Sequence, residues 1–198
     1  MSQNLPTAQQ VIDNYITALG GKQKLESVKT LSMKTTVNTM GMEMEGVTIK
    51  KDNKFKSTQM FMGQEVYVQM FDGNSGYAMQ MGQKMDYPVD QIEKMKSAKI
   101  MDALEMDASK VTSVEKLQLD GKDYYVLTSP EGKFYFDTNT NLLYQSDTDA
   151  AKMTITQYTE VDGIKFVEEM KIEAAGQEVT IKTSDIQINK GVSDEDFK

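Results

Sequence analysis

The stretch Val114-Glu115-Lys116-Leu117-Gln118-Leu119-Asp120-Gly121-Lys122-Asp123-Tyr124-Tyr125-Val126-Leu127-Thr128 decides the fold class. An Asp-Gly pair between two β-favouring runs is a strong hairpin signal, because both central residues of the tight turn need positive φ. The same grammar continues downstream. Turn residues at Glu131-Gly132, Asn139 to Asn141, Asp162-Gly163 and Gly176-Gln177 separate five further runs. These are Lys133 to Asp137, Leu142 to Ser146, Met153 to Tyr158, Ile164 to Ala174 and Glu178 to Ile188.

Upstream the period is also two. Leu31, Met33, Thr35 and Val37 alternate with Ser32, Lys34, Thr36 and Asn38, and a turn near Met40-Gly41 leads to Met42 and Met44. The apolar phase slips by one at Gly46, which predicts a bulge or bend there. Phe55 to Met62 and Glu65 to Asp72 read as strands joined at Gly63-Gln64, and Tyr77, Met79 and Met81 as a short strand after the turn Asp72 to Gly76. About ten or eleven strands are too many for a flat sheet, so the sheet should curl.

Two helices break the pattern. Thr7 and Gln10 form a capping box ahead of Val11, Ile12, Tyr15, Ile16 and Leu19, and Gly20-Gly21 stops the helix. Pro88 suits a first helical position, followed by a stripe of Val89, Ile92, Met95, Ile100, Met101 and Leu104. This second helix is a candidate lid. No linker or low-complexity tract divides the chain, so residues 1–198 read as one domain.

Composition narrows the function. The net charge is −8, from 30 acids against 22 cations that are all Lys. Such a surface repels phosphate backbones, which argues against nucleic-acid binding. The chain has no Cys, His, Trp or Arg. Thiolate chemistry, histidine bases, the usual zinc and iron sites and bidentate Arg clamps are therefore excluded. The reading is of a protein that is not an enzyme, with no catalytic residue, no metal and no cofactor. Asp137-Thr138-Asn139-Thr140-Asn141 begins like a calcium loop but continues with Leu142 where Gly is needed, so it reads as an Asx-stabilised turn. No run approaches the roughly 18 apolar residues of a spanning helix. The start Met1-Ser2-Gln3-Asn4 lacks a charged and apolar leader and reads as a mature start, its targeting segment absent.

The methionines are the positive signal. All but Met1, Met153 and Met170 of the 16 lie between Met33 and Met106. Thioethers are flexible and polarisable and suit surfaces that accept varied apolar shapes. Val66, Val68 and Met70 alternate with Tyr67 and Phe71, so both sheet faces should be covered. The expected ligand-binding lining is Met33, Val37, Met42, Met44, Met60, Met62, Met70, Met79 and Met81, closed by Ile92 and Met95. It predicts an apolar partner, a lipid or acyl chain.

Three stretches together carry a resemblance. They are Val11 to Gly21 with Leu25 and Val28-Lys29-Thr30, then Phe71-Asp72-Gly73-Asn74-Ser75-Gly76-Tyr77, then Tyr158-Thr159-Glu160-Val161-Asp162-Gly163-Ile164-Lys165-Phe166. Their order resembles the outer-membrane lipoprotein-sorting superfamily, the LolA/LolB-like proteins of the bacterial envelope, and the related domain appended to some insulinase-type zinc peptidases. The resemblance implies a mostly β (α+β) fold, a strongly curved antiparallel sheet forming an incomplete β-barrel with helices covering the open side. It implies a carrier of a lipid, acyl chain or lipopeptide, resident in the periplasm or at the outer membrane. It also implies an alternative, a non-catalytic accessory domain that docks on an envelope protein such as a zinc peptidase. Lipoprotein carriers latch the lid with an arginine, which this chain lacks, and Val167 stands where the last hairpin often has proline. A general lipid- or lipopeptide-binding role fits better than a dedicated lipoprotein shuttle.

Overall fold

The computed structural model describes residues 4–198. The expected mature start at Met1-Ser2-Gln3 lies outside them. Helix α1 (Ala8–Leu19) opens the chain, with its capping box formed as the sequence requires: Gln10 N donates to Thr7 Oγ1 and Thr7 N donates to Gln10 Oε1. Helix α2 (Lys22–Glu26) follows. Gly20 separates them at φ 133°, and a Cβ there would come within 3.0 Å of the Gly163 carbonyl oxygen, so only glycine fits.

Thirteen strands come next in chain order. They are β1 (Thr30–Thr39), β2 (Met42–Lys51), β3 (Lys54–Phe61), β4 (Gln64–Phe71), β5 (Gly76–Gln80) and β6 (Gln83–Asp86) before helix α3 (Val89–Lys96). After it come β7 (Ser113–Leu119), β8 (Lys122–Ser129), β9 (Gly132–Asp137), β10 (Leu143–Asp147), β11 (Lys152–Val161), β12 (Ile164–Ala174) and β13 (Gln177–Ile188). They form one sheet in the order β6-β5-β4-β3-β2-β1-β13-β12-β11-β10-β9-β8-β7. The terminal strands β6 and β7 are not neighbours, so the sheet is open, and the class is mostly β as expected of an incomplete barrel.

The chain divides into two compact units. The first takes the chain up to Leu25 and Met106–Thr180. In it α1 buries Val11, Ile12, Tyr15 and Leu19, with Tyr15 edge-on to Phe136 at 5.3 Å between ring centroids. Lys165 Nζ donates to the Ala18 carbonyl at 3.3 Å. Tyr158 donates its hydroxyl to Leu143 O at 2.7 Å, and burial, with Tyr15 beside it, holds that phenol far above its ordinary pKa. The other face of β8 and β9 carries Tyr124, Val126 and Tyr135, with Tyr144 stacked on Tyr124.

The second unit is Glu26–Glu105 with Ile181–Lys198. Three of its features differ from the sequence reading. No bulge occurs at Gly46: the β1–β2 pairing runs without a shift from Thr30↔Lys51 to Thr39↔Met42. The phase slip instead reflects Val47 and Ile49 turning their side chains to the opposite face from Met42 and Met44. The bulge is at Val66 in β4, between Met60↔Glu65 and Gln59↔Tyr67. Helix α3 ends at Lys96 rather than continuing through Leu104, and Pro88 is its N-cap. Ile100, Met101 and Ala103 are buried in an irregular stretch and a 3-10 turn beyond it. Strand β6 carries no apolar alternation, which is why the sequence does not reveal it; it forms because Ala78↔Met85 and Gln80↔Gln83 continue the ladder.

Candidate functional site

Directly paired residues share a face of a sheet, and successive residues alternate. The pairings therefore sort every side chain of β1–β5. Leu31↔Lys50↔Phe55↔Phe71↔Gly76 and Met33↔Thr48↔Ser57↔Gln69↔Ala78 define one face, the Phe71 face. Lys34↔Val47↔Thr58↔Val68↔Met79 defines the other, the Val68 face.

On the Phe71 face Leu31, Val37, Phe71 and Ala78 are buried. Around them Met33, Met44, Phe55, Phe61 and Tyr67 are only partly buried. Large apolar side chains half open to solvent are unusual in a finished core. One polar group joins them. Gly76 faces the Tyr87 ring so closely that a Cβ would lie within 3.0 Å of it, which puts that ring over this face. Tyr87 donates its backbone N–H to Gly76 O at 2.9 Å. Its hydroxyl oxygen is buried with no hydrogen-bond partner among the described residues. Burial first, and Tyr67 second, raise its pKa, so it stays protonated as a donor. A buried orphan donor is rare and calls for an acceptor.

The far end of this face is tied down. Lys50 Nζ donates to Ile100 O at 3.2 Å and pairs with Asp102 at 2.8 Å, while Asn53 Nδ2 donates to Lys96 O. Helix α3 itself buries none of its residues; Ile92 and Met95 are half-buried and Val89 is exposed.

The expected lining divides accordingly. Met33, Val37, Met42 and Met44 share the Phe71 face, although Met42 is exposed near the hairpin end. Met60, Met70 and Met79 lie on the Val68 face. Met62 and Met81 sit at hairpin tips, 87% and 83% exposed. The structure does not bring these three groups together on one surface. Phe55, Phe61, Tyr67 and Tyr87 complete the Phe71 face, and the sequence reading did not select them. Alternation from Phe55 carried the signal for Phe61, whereas Tyr67 joins that face only through the bulge at Val66.

The Val68 face has its own cover. The 3-10 turn Asp194–Phe197 lies over β2 and β3. Asp194 pairs with Lys54 at 2.8 Å and Lys51 at 3.1 Å, and Phe197 is buried. Beside it a hollow of about 380 Å³ is lined by Val47, Ile49, Lys56, Thr58, Glu195, Asp196 and Lys198. At the turn after β4, Asp72 Oδ1 accepts from Asn74 N and Ser75 N at 2.8 Å each. Those donors hold its carboxyl below the usual range. Asp137 Oδ1 accepts from Asn139 N at 2.8 Å and Thr140 N at 3.0 Å, so the calcium-like stretch is an Asx turn. Among the described residues no helix is long and apolar enough to cross a membrane.

This open sheet of thirteen strands with its helices is a fold already seen in solved proteins. Two solved structures share it along nearly their whole length. A LolA-superfamily protein, NE2245 from Nitrosomonas europaea, matches with TM-score 0.59 and 12% identity over 98% of both chains. A DUF1329-family protein from Desulfovibrio piger matches with TM-score 0.59 and 13% identity over 96% of this chain and 97% of that one. At such identities the likeness is one of fold. No family model matches the sequence, and no curated protein matches it significantly.

Proposed function

We propose that this protein is a non-enzymatic binding protein of the bacterial envelope that holds a lipid or acyl chain against the Phe71 face. The observation that carries the reading is that face itself. Met33, Met44, Phe55, Phe61 and Tyr67 stand half open around a buried floor, with one unpaired phenol at Tyr87. Apolar burial supplies the affinity, at about 0.8 kcal/mol per methylene. The Tyr87 hydroxyl supplies a single neutral donor for the ligand's ester or carboxyl oxygen. Helix α3 would cover the bound chain through Ile92 and Met95, which are half-buried in the structure. The shared LolA-superfamily fold supports residence in the periplasm or at the outer membrane.

Native mass spectrometry of the protein as purified, and uptake of a fluorescent fatty acid by delipidated protein, test this. Met44→Gln and Phe61→Gln should each weaken uptake about tenfold, the effect of some 1.4 kcal/mol. Met70→Gln, on the opposite face, should leave it unchanged. Uptake that is absent, or equally weakened by all three, overturns the reading.

A second reading rests on strand β6. All four of its residues are exposed and it ends the sheet, so it offers an open edge for a partner's strand. In that case the protein is an accessory domain of an envelope complex, such as one with a zinc peptidase. Gln83→Pro would then abolish capture of the partner and leave fatty-acid uptake intact.

A further inference from the structure

The two faces of β1–β6 differ sharply in charge. Among the described residues of these strands, the acids Glu43, Glu45, Glu65 and Asp86 all stand on the Val68 face, and so does every lysine except Lys50. The Phe71 face therefore carries no carboxylate, in a chain with 30 acids. Its one cation is already engaged: Lys50 Nζ lies 2.8 Å from Asp102 Oδ1 and donates to Ile100 O at 3.2 Å. The polar side chains that reach this face are neutral. Thr48 and Ser57 share a hydrogen bond at 3.0 Å, and Gln59 and Gln69 stand half-buried on neighbouring strands. Helix α3 keeps Asp90, Glu93, Lys94 and Lys96 exposed and half-buries Gln91, Ile92 and Met95. A closed core would explain an uncharged face. Here Met33, Met44, Phe55, Phe61 and Tyr67 are half open, so the lack of charge acts on whatever enters.

That asymmetry bears on the head group a lipid brings with it. Tyr87 offers one buried hydroxyl with no partner among the described residues. A carboxylate bonded to it would gain a charge-assisted bond, about twice the strength of a neutral one. It would also leave water with no cation to pair with, and an unpaired buried ion costs far more than one donor returns. A phosphodiester meets the same obstacle, because Lys50 is held by Asp102. A quaternary ammonium meets its mirror image, since no carboxylate of the sheet stands on this face. An ester or hydroxyl head loses little. Tyr87 can donate to its oxygen, and carboxamides such as Gln59 and Gln69 carry both donors and acceptors. We propose that the Phe71 face selects uncharged acyl esters, of the glyceride class, and discriminates against fatty-acid anions, phospholipids and acyl cations. The proposal rests on the lipid-binding reading and adds the chemistry of the head group.

One fluorescent acyl chain, carried as its monoglyceride, its free acid and its trimethylammonium analogue, tests this on delipidated protein below the micelle concentration. At about pH 8, well above an ordinary carboxyl pKa, the monoglyceride should bind at least about tenfold more tightly than either ion. Lowering the pH to about 5 should nearly close the gap for the acid, which then enters as a neutral molecule, and leave the ammonium weak. Gln69→Lys, checked for fold by circular dichroism, places a cation on the face and should tighten the acid severalfold at the higher pH. Asp102→Asn releases Lys50 and should act in the same direction without adding a charge to the face. Acid or ammonium binding equal to that of the monoglyceride at the higher pH overturns the proposal and leaves the lipid reading standing. Acid binding that both variants leave unchanged overturns it too. Failure of all three probes to bind removes the lipid reading and this inference with it.

Discussion

Gly46→Ala tests the register on which the assignment of faces depends. Gly46 is buried and opposite Thr35, and its φ is one that alanine adopts. A Cβ there would come within 3.0 Å of Thr35 Oγ1 and lie 3.4 Å from Thr58 O. Two effects oppose. Alanine restricts the unfolded chain and stabilises by about 0.4–1 kcal/mol. Overpacking costs about 1–3 kcal/mol. Thr35 relieves it poorly, because two of its three χ1 wells place a heavy atom at the contact. The steric term wins, and the expected net loss is about 1–2 kcal/mol. In a Thr35→Ala background the obstacle is gone, and Gly46→Ala should become neutral or stabilising by a few tenths of a kcal/mol. Urea denaturation of the four proteins closes the cycle, with an expected coupling of about 2 kcal/mol. A coupling below about 0.5 kcal/mol, within the scatter of independent sites, would refute the Thr35–Gly46 opposition. With it would go the grouping of Met33, Met42 and Met44 on one face.

Other outcomes follow from single contacts. Gly20→Ala meets the Gly163 carbonyl at a positive φ and should destabilise by more than about 2 kcal/mol, read as a lower urea midpoint. Tyr158→Phe leaves the Leu143 carbonyl without its donor and should cost about 1–2 kcal/mol by the same measurement. Asp72 has a folded pKa below its unfolded one, so its contribution is complete above about pH 5 and is lost as pH falls through the lowered value. Asp72→Asn should therefore flatten part of the acid limb of a stability–pH curve and leave the curve above pH 5 parallel to wild type. Phe197→Ala should free the 3-10 turn from the Val68 face, seen as faster amide exchange at β3 with β8 unchanged.

The sequence by itself determined the elements that depend on neighbouring residues. The capping box at Thr7 and Gln10, the stop at Gly20 and the hairpins at Asp120-Gly121 and Asp162-Gly163 are local geometry, because a cap or tight turn is set within four residues. The mostly-β class follows from the number of such turns. What the sequence could not determine is which methionines meet. Alternation along Met42 and Met44, or along Met60 and Met62, reads the same whichever face each strand presents, since face is a property of pairing between strands. Only the tertiary structure, through the ladder and the extra residue at Val66, placed Met60, Met70 and Met79 opposite Met33 and Met44, and brought Tyr87 over Gly76. Helix α3 shows the same limit from the other side. Its apolar stripe continued past Lys96 because Ile100 and Met101 are buried, yet they are buried by contact in an irregular segment, and burial alone carries no helical period.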